Sequence, residues 1–289
     1  MLEDLREEAL KVGLRIHWGK TKALTNGEEE EEESEGDLII GDRKVEILSR
    51  SDSTAYLGRW MTLGEYHDDE IKNRISKAWR KFGQLSGELR NQAYPLRSRL
   101  QLFNATVTAT LLYGSGSWTM NAQRETLVRT AQRRMLRSII QTKRKVTSED
   151  LGETSDSEED SDTEAEEEEE EDEGLEPWET WMKRATRTAE EEMRKAGIDD
   201  WVVQQRKRKW RLAGHLARRT DGRWSTRFLA WTPEGGSRER RRPTTRWADA
   251  VDKFMKNFDV NKGDWQLYAQ QRKDWEDHAE AFAKAPGAE

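Results

Sequence analysis

The sequence contains no cysteine, which excludes disulfides and thiolate zinc sites alike. Its four histidines, His17, His67, His215 and His278, lie far apart and lack the close spacing by which paired ligands grip a metal. No apolar run approaches the roughly 20 residues that span a bilayer. Met1 opens onto Glu3, Asp4 and Arg6 rather than onto a basic segment backed by an apolar one. The expectation is a soluble intracellular protein with no structural metal, no membrane contact and no small-molecule substrate. Apolar residues are scarce too, at 34% against 37% charged in 289 residues, too few for the whole chain to be packed core.

Charge is what the chain has in excess, and it is segregated. Residues 28 to 37 carry eight acids and no base, and residues 149 to 173 carry seventeen acids and no base. With those 25 acids set aside, a chain of net charge −7 leaves a body of +18. A body so basic calls for a polyanionic partner, since phosphate neutralisation and counterion release supply most sequence-independent affinity for nucleic acid. The competing account is ordinary solvated surface. The acidic tracts themselves cannot bury anything: the first reads as an exposed loop and the second as a linker extended by self-repulsion. The second has a sharper reading as an internal polyanion that competes with nucleic acid for the basic region after it.

Periodicity divides the rest. Leu2, Leu5, Ala9 and Val12 recur at helical spacing up to Gly13, and a strand is expected through Leu14 to Trp18. Leu38-Ile39-Ile40 and Val45-Glu46-Ile47-Leu48 flank Gly41-Asp42 as a hairpin would. From about residue 68 the period becomes helical, with one stripe of Ile71, Ile75, Ala78, Phe82 and Leu85. A second runs through Leu96, Leu100, Phe103, Val107 and Leu111, and a third through Leu127, Ala131, Met135 and Ile139. These predict a helical bundle. After the long acidic tract, Trp178, Trp181, Ala185, Ala189 and Met193 predict a helix closed near Gly197. A basic helix follows from Asp199 or Asp200 to Arg219, a loop covers Arg238 to Arg242, and helices are expected at Trp247 to Phe254 and Trp265 to Phe282. No internal repeat is present, although the chain has 13 tryptophans.

Tyr66-His67-Asp68-Asp69 has the form of an aromatic-x-Asp-Asp motif, whose paired carboxylates hold two divalent cations in nucleotidyl transfer. The residues that follow, Glu70-Ile71-Lys72-Asn73-Arg74-Ile75, carry a helical pattern, and acids at a helix start satisfy free N–H groups. The capping reading is favoured. In the C-terminal third, residues 178 to 247 hold nineteen Lys or Arg against nine acids, with Trp201, Trp210, Trp224 and Trp231 interleaved. Aromatics stack on unpaired bases while cations track phosphate; core packing is the commoner fate of a tryptophan.

An ordered series of short motifs carries more than any one of them. Gly13-Leu14-x-Ile16, Lys20-Thr21-Lys22 and Tyr56-Leu57-Gly58 come first. Leu102-Phe103-Asn104-Ala105-Thr106 then runs into Leu112-Tyr113-Gly114 and Trp118, with Gln132-Arg133-Arg134-Met135-Leu136-Arg137 after it. The series resembles the closing portion of a LINE-type (non-LTR) retrotransposon endonuclease and reverse transcriptase, from palm end through thumb to the region beyond. The resemblance covers most of the chain outside the acidic tracts. It implies a mainly α fold: a palm-end remnant with a hairpin over 1–60, a helical thumb-like domain over 61–147, the acidic linker at 148–174, and a basic Trp-rich helical region over 175–289.

The parent activity would be RNA-directed DNA synthesis with Mg²⁺. The family's catalytic aspartates lie upstream of the position equivalent to Met1, so no catalytic residue, metal or cofactor is expected in this chain. Lys20 and Lys22 are weak candidates for a palm lysine near the incoming nucleotide. Tyr56, Leu57 and Gly58 match the hairpin that grips the primer end, with the aromatic anchoring the turn. Arg133, Arg134, Arg137, Arg206, Lys207, Arg208, Lys209, Arg211, Arg242 and Arg246 become the candidate contacts to nucleic acid. Expected partners are an RNA and DNA template/primer duplex and the absent palm and fingers, in the nucleus or shared between nucleus and cytoplasm. The Cys/His knuckle found near the end of many such proteins cannot exist here. Two rival readings are a nuclear interaction protein whose acidic tracts bind basic partners, and a transposon remnant without function.

Overall fold

The computed structural model describes residues 2–24, 38–40, 43–49, 52–63, 66–146, 175–230, 245–258 and 264–285. The architecture is mainly α, with a small mixed part at the start. Helix α1 (Leu2–Lys11) forms as its periodicity predicts. The strand expected at Leu14 to Trp18 does not: that stretch is unpaired, Trp18–Lys20 makes a 3-10 turn, and pairing begins only at β1 (Lys22–Leu24). β1 lies parallel to β3 (Arg43–Leu48), and β2 (Leu38–Ile40) lies antiparallel on its other side with Leu38 opposite Val45. The predicted hairpin is therefore present, with its turn residues Gly41 and Asp42 outside the described set. Val45 and Leu48, on opposite faces of β3, are buried while Ile47 is 41% and Ile39 72% exposed, so each face of this sheet is only partly covered.

A second hairpin, β4 (Ser53–Tyr56) and β5 (Arg59–Thr62), turns on two residues, Leu57 and Gly58, both at positive φ (47° and 78°). That is the backbone a two-residue hairpin needs to match strand twist. The helical body follows. Helix α2 (Tyr66–Gln84) buries Ile71, Ala78 and Phe82. After α3 (Ser86–Leu89), helix α4 (Leu96–Phe103) runs through a π-helical turn at Asn104–Thr108 into α5 (Ala109–Leu111), burying Leu100, Phe103, Val107 and Leu111. Helix α6 (Ala122–Ile140) is capped by the Asn121 side chain, which accepts from the Arg124 N–H. Its buried stripe is Val128, Ala131, Met135 and Ile139; Leu127, expected in that stripe, is 42% exposed. Val128 takes its place because the intervals from 128 to 139 hold one face of a 3.6-residue helix better.

The long acidic segment is an excursion whose two ends meet. Val146 and Leu175 form an antiparallel bridge, the Glu176 N–H donates to the Lys145 carbonyl at 2.9 Å, and Arg144 donates twice to the Glu176 carbonyl. Helix α7 (Trp178–Lys195) consequently returns to α6 and adds Ala189 and Met193 to the first core. Helix α8 (Trp201–Ala217), capped by Asp200, then passes from one core into another. Trp201 and Val202 close the first core, whereas Trp210 and Ala213 open the second. The apolar contacts thus divide within α8, between Val202 and Trp210, rather than at the acidic segment.

The second core gathers around Trp210. Helix α9 (Trp224–Ala230) follows α8, and α10 (Asp249–Phe258) contributes Val251 and Met255. The single helix expected over Trp265 to Phe282 is three short ones, α11 (Trp265–Tyr268), α12 (Arg272–Asp277) and α13 (Ala279–Lys284). The breaks let Trp265, Tyr268, Trp275 and Phe282 wrap around one centre. Trp210 and Trp275 stack at 3.7 Å with planes 5° apart, and each indole N–H donates to the other residue's carbonyl, at 2.7 and 3.0 Å. Gly214 permits this: a Cβ there would lie 2.3 Å from Trp275 Nε1. Gly214→Ala is expected to destabilise the chain by about 2 kcal/mol through overpacking, read from denaturant unfolding; an unchanged midpoint would show that the stacked pair yields freely.

Candidate nucleic-acid interface

The Tyr56-Leu57-Gly58 turn is clamped from two directions. From α2, Arg74 Nη2 donates to the Gly58 carbonyl at 2.5 Å, with Lys77 a second, longer donor at 3.4 Å. From the far end of the bundle, the Tyr113 hydroxyl donates to the Leu57 carbonyl at 3.0 Å. The Arg74 guanidinium also lies over the Tyr113 ring at 4.6 Å. Thus Tyr56-Leu57-Gly58 and Leu112-Tyr113-Gly114, 56 positions apart, meet in space. The anchoring aromatic is Tyr113 and not, as expected, Tyr56, which is 61% exposed beside a Leu57 that is 74% exposed.

Glu70 holds the base of this hairpin. Its carboxylate is fully buried, accepts the Trp60 N–H at 2.7 Å and Arg74 Nε at 3.0 Å, and has Arg59 Nε at 3.5 Å. A buried carboxylate persists only when paired and hydrogen-bonded, and here the strand's own N–H and two arginines supply that. The Glu70-x-x-x-Arg74 spacing was the available signal, since residues four apart share a helix face. Nothing in the sequence marks Arg59 as their third partner.

Beside the hairpin, the Tyr66 to Asp69 segment forms the first turn of α2. Asp68 takes both Arg124 Nε and Nη2, at 2.6 and 3.1 Å, and the hydrogen bonds hold its carboxyl below the usual range. An arginine fork occupies the oxygens that a cation would need. Among the described residues no group of three or more His, Asp or Glu side chains is arranged to hold a metal. Polar atoms collect where α2, the 115–118 turn and α8 converge. Arg59 Nη2, His67 Nδ1, Ser115 Oγ, Trp118 Nε1 and Gln205 Oε1 are shut from solvent with no hydrogen-bond partner.

Most of the candidate cations serve the fold. Arg133 pairs with Glu190 at 2.6 Å, Arg137 donates to Thr186 at 2.9 Å, and Arg134 lies over Trp79 at 5.7 Å, so the arginine face of α6 meets α7 and α2. On α8, Arg206 bridges Glu125 and the Ala285 carbonyl, and Lys207 bridges Asp199 and Glu280. Arg208 donates to the Leu112 carbonyl. Lys209 is 3% exposed, lies over Trp247 at 5.3 Å, and is pulled by burial down to about 8. Arg211 and Arg246 are exposed, and Arg242 lies outside the described residues. Arg211 lines a groove of about 820 Å³ with Arg208, His215, Arg218 and Arg272. Lys20 is exposed, and Lys22 pairs with Glu46 at 2.9 Å across β1 and β3. Trp201 and Trp210 are core, Trp224 is 69% exposed, and Trp231 lies outside the described residues.

The comparisons with known proteins bear on origin. The chain is 27% identical over 293 residues to a transposon-derived protein of Caenorhabditis elegans, spanning 95% of this chain and 86% of that one. No protein-family model and no solved structure matches. The class this defines is a mainly α protein of transposon-related origin. No helix among the described residues is long and apolar enough to cross a membrane.

The junction also sets a pH dependence. Burial, reinforced by Arg124, Lys209 and Arg59 and opposed by Asp68, pulls the His67 imidazole down to about 4. The unfolded chain binds that proton near 6.5, so stability present above pH 6.5 is lost as pH falls from there toward 4. His67→Gln is expected to flatten that part of the curve of unfolding free energy against pH. Equal slopes in both proteins between pH 6.5 and 4.5 would contradict the buried neutral imidazole.

Proposed function

We propose that this chain binds nucleic acid as a derivative of a LINE-type reverse transcriptase, holding template and primer without polymerising them. The observation that carries the proposal is the meeting of the Tyr56-Leu57-Gly58 hairpin with Tyr113. Two motifs resembling the family's primer-holding and thumb elements are joined by direct contacts, and their joint leaves an apolar tip, Tyr56 and Leu57, facing solvent. Leu57 is not glycine yet sits at φ 47°; a side chain kept in a left-handed turn despite its steric penalty points to a use for that side chain. The transposon-derived relative supports the same lineage at a coarser level. A body charge of +18 supplies the long-range attraction, and Arg211 lines a groove with His215, Arg218 and Arg272 in which Glu276 and Glu280 also stand, Glu276 paired with Arg272.

The carboxylates of Asp68 and Asp69 do not fit the metal chemistry of the parent activity. Asp68 is bound by Arg124, and both begin a helix. No polymerisation step is assigned to this chain. Holding the nucleic acid instead needs phosphate contacts for affinity and an apolar tip for the primer end.

Fluorescence anisotropy with a short RNA/DNA primer–template duplex tests this. Affinity is expected to fall linearly with the logarithm of salt concentration. Leu57→Gly is expected to weaken duplex binding about fivefold, equivalent to ~1 kcal/mol, while leaving stability unchanged or higher because glycine accepts the turn without strain. Absence of salt-dependent binding would defeat the proposal, and undiminished affinity in Leu57→Gly would remove the hairpin from it.

A further inference from the structure

Trp201 and Trp210 are shut into the two cores, whereas Trp224, on the same basic stretch of sequence, is 69% exposed. Trp178 is exposed too, but it follows closely on the seventeen acids of residues 149 to 173. The surroundings of Trp224 have the opposite charge. Residues 218 to 230 hold four arginines, no lysine and one acid, Asp221.

The turn that carries Trp224 is tied down. Gly222 takes a positive φ of 65°, the Asp221 side chain accepts the Arg223 N–H at 3.3 Å, and the Thr226 hydroxyl donates to the Arg223 carbonyl at 2.7 Å. Arg219, just past the end of α8, donates to the Ser225 hydroxyl at 3.5 Å. Leu229, five residues along α9 and so on its other side, packs against the second core. Trp224 is therefore held facing outward by an element that is fastened at both ends.

Its neighbours decide what it would meet. The Arg227 guanidinium lies over the indole at 5.2 Å, and Trp224 is 69% exposed with that contact in place. Arg223 and Arg227 are both exposed, and the Arg223–Asp221 pair at 2.8 Å is a surface pair, 68% and 43% exposed, of the kind that holds weakly and can give way to a phosphate. Arg211 and His215, exposed and four residues apart on α8, continue the positive line toward this turn; the carboxylates beside them, Glu276 and Glu280, are paired with Arg272 and Lys207. An apolar protein surface would want apolar neighbours around the indole, and here they are Arg223, Ser225, Thr226 and Arg227. A flat aromatic joined to an anion suits them better. Arginine stacks on planar rings and also forks onto phosphate oxygens, which lysine does not do.

We propose that Trp224 and Arg227 form a stacking platform for one unpaired base of a bound strand, with Arg223 and Arg227 on the flanking phosphates. The inference rests on the nucleic-acid-binding reading above. Stacking on an indole or a guanidinium plane is how unpaired bases are held without regard to sequence.

The experiment uses the full chain and a single-stranded RNA of about 12 nucleotides, compared with a ribose-phosphate strand of the same length carrying abasic positions. Salt-dependent binding of both is expected, with the base-bearing strand about tenfold tighter. Trp224→Ala is expected to remove most of that preference and to leave the affinity for the abasic strand and the unfolding midpoint unchanged, since the side chain is exposed; Trp224→Phe is expected to keep much of it. Equal affinity of the wild-type chain for the two strands would overturn the stacking platform and leave nucleic-acid binding standing. Failure to bind either strand would overturn both. A preference fully retained in Trp224→Ala would place base contact elsewhere and overturn the assignment. A glutamate-rich peptide that binds as tightly as the RNA, and is lost equally in Trp224→Ala, would assign the patch to acidic proteins and overturn it as well.

Discussion

Guanidinium groups that close backbone ends are the interaction on which this structure most depends. The last carbonyls of a helix have no partner within it, and this fold is made of many short helices. Arg99, 7% exposed, donates to Leu89 and Ile139 at the ends of α3 and α6 and to Tyr94 in the loop between. Arg208 serves Leu112 at the end of α5, Arg218 serves Ala269 after α11, and Arg206 serves Ala283 and Ala285 at the end of α13. Arginine suits this work because five donors in a planar fork reach several carbonyls at once and the charge complements a helix C-terminus. Arg74, capping the Gly58 carbonyl from α2 while pairing with Glu70, extends the same device to a strand turn.

This constraint changes what the basic composition means. A body of +18 suggests a surface laid out for phosphate, but several of its arginines are engaged by carbonyls and carboxylates of the fold itself. Composition cannot separate the two uses, because an arginine that caps a carbonyl and one that awaits a phosphate are the same letter. Among the candidate contacts in the described residues, those that face solvent are Lys20, Arg134 beside Trp79, Arg211 in the groove against α12, and Arg246 at the approach to α10.

The sequence was legible where periodicity reports burial. The stripes of α2 and α4 to α5 lie in or against the core as the spacing indicated, that of α7 does so from Ala185 to Met193 while its first member Trp178 is 57% exposed, and Asp200 caps α8. It was less legible where long-range pairing decides the outcome. Leu14 to Trp18 has strand character but no neighbour to pair with, and β1 forms four residues later, from Lys22, because β3 is there to receive it. The long C-terminal helix breaks because Trp265, Tyr268 and Phe282 gather on the stacked Trp210–Trp275 pair. The acidic segment looked like a spacer, yet the bridge between Val146 and Leu175 brings its ends together. At the candidate site, the turn glycine and the helical setting of Asp68 and Asp69 were readable locally. The anchoring by Tyr113, the third partner Arg59 and the unsatisfied Gln205 were not, since each depends on residues tens of positions away.

The central claim is that the Tyr56 to Arg59 turn is a rigid presentation device, fastened to the helical body and directed at a nucleic-acid strand. Amide hydrogen exchange over residues 53–62, with and without an RNA/DNA primer–template duplex, addresses both halves at once. The account predicts that the Trp60 amide, bound to buried Glu70, is protected in the free chain to the level of α2, and that duplex adds protection at Tyr56, Leu57 and Gly58. Rapid exchange at Trp60 in the free chain, or a hairpin indifferent to the duplex, would contradict it.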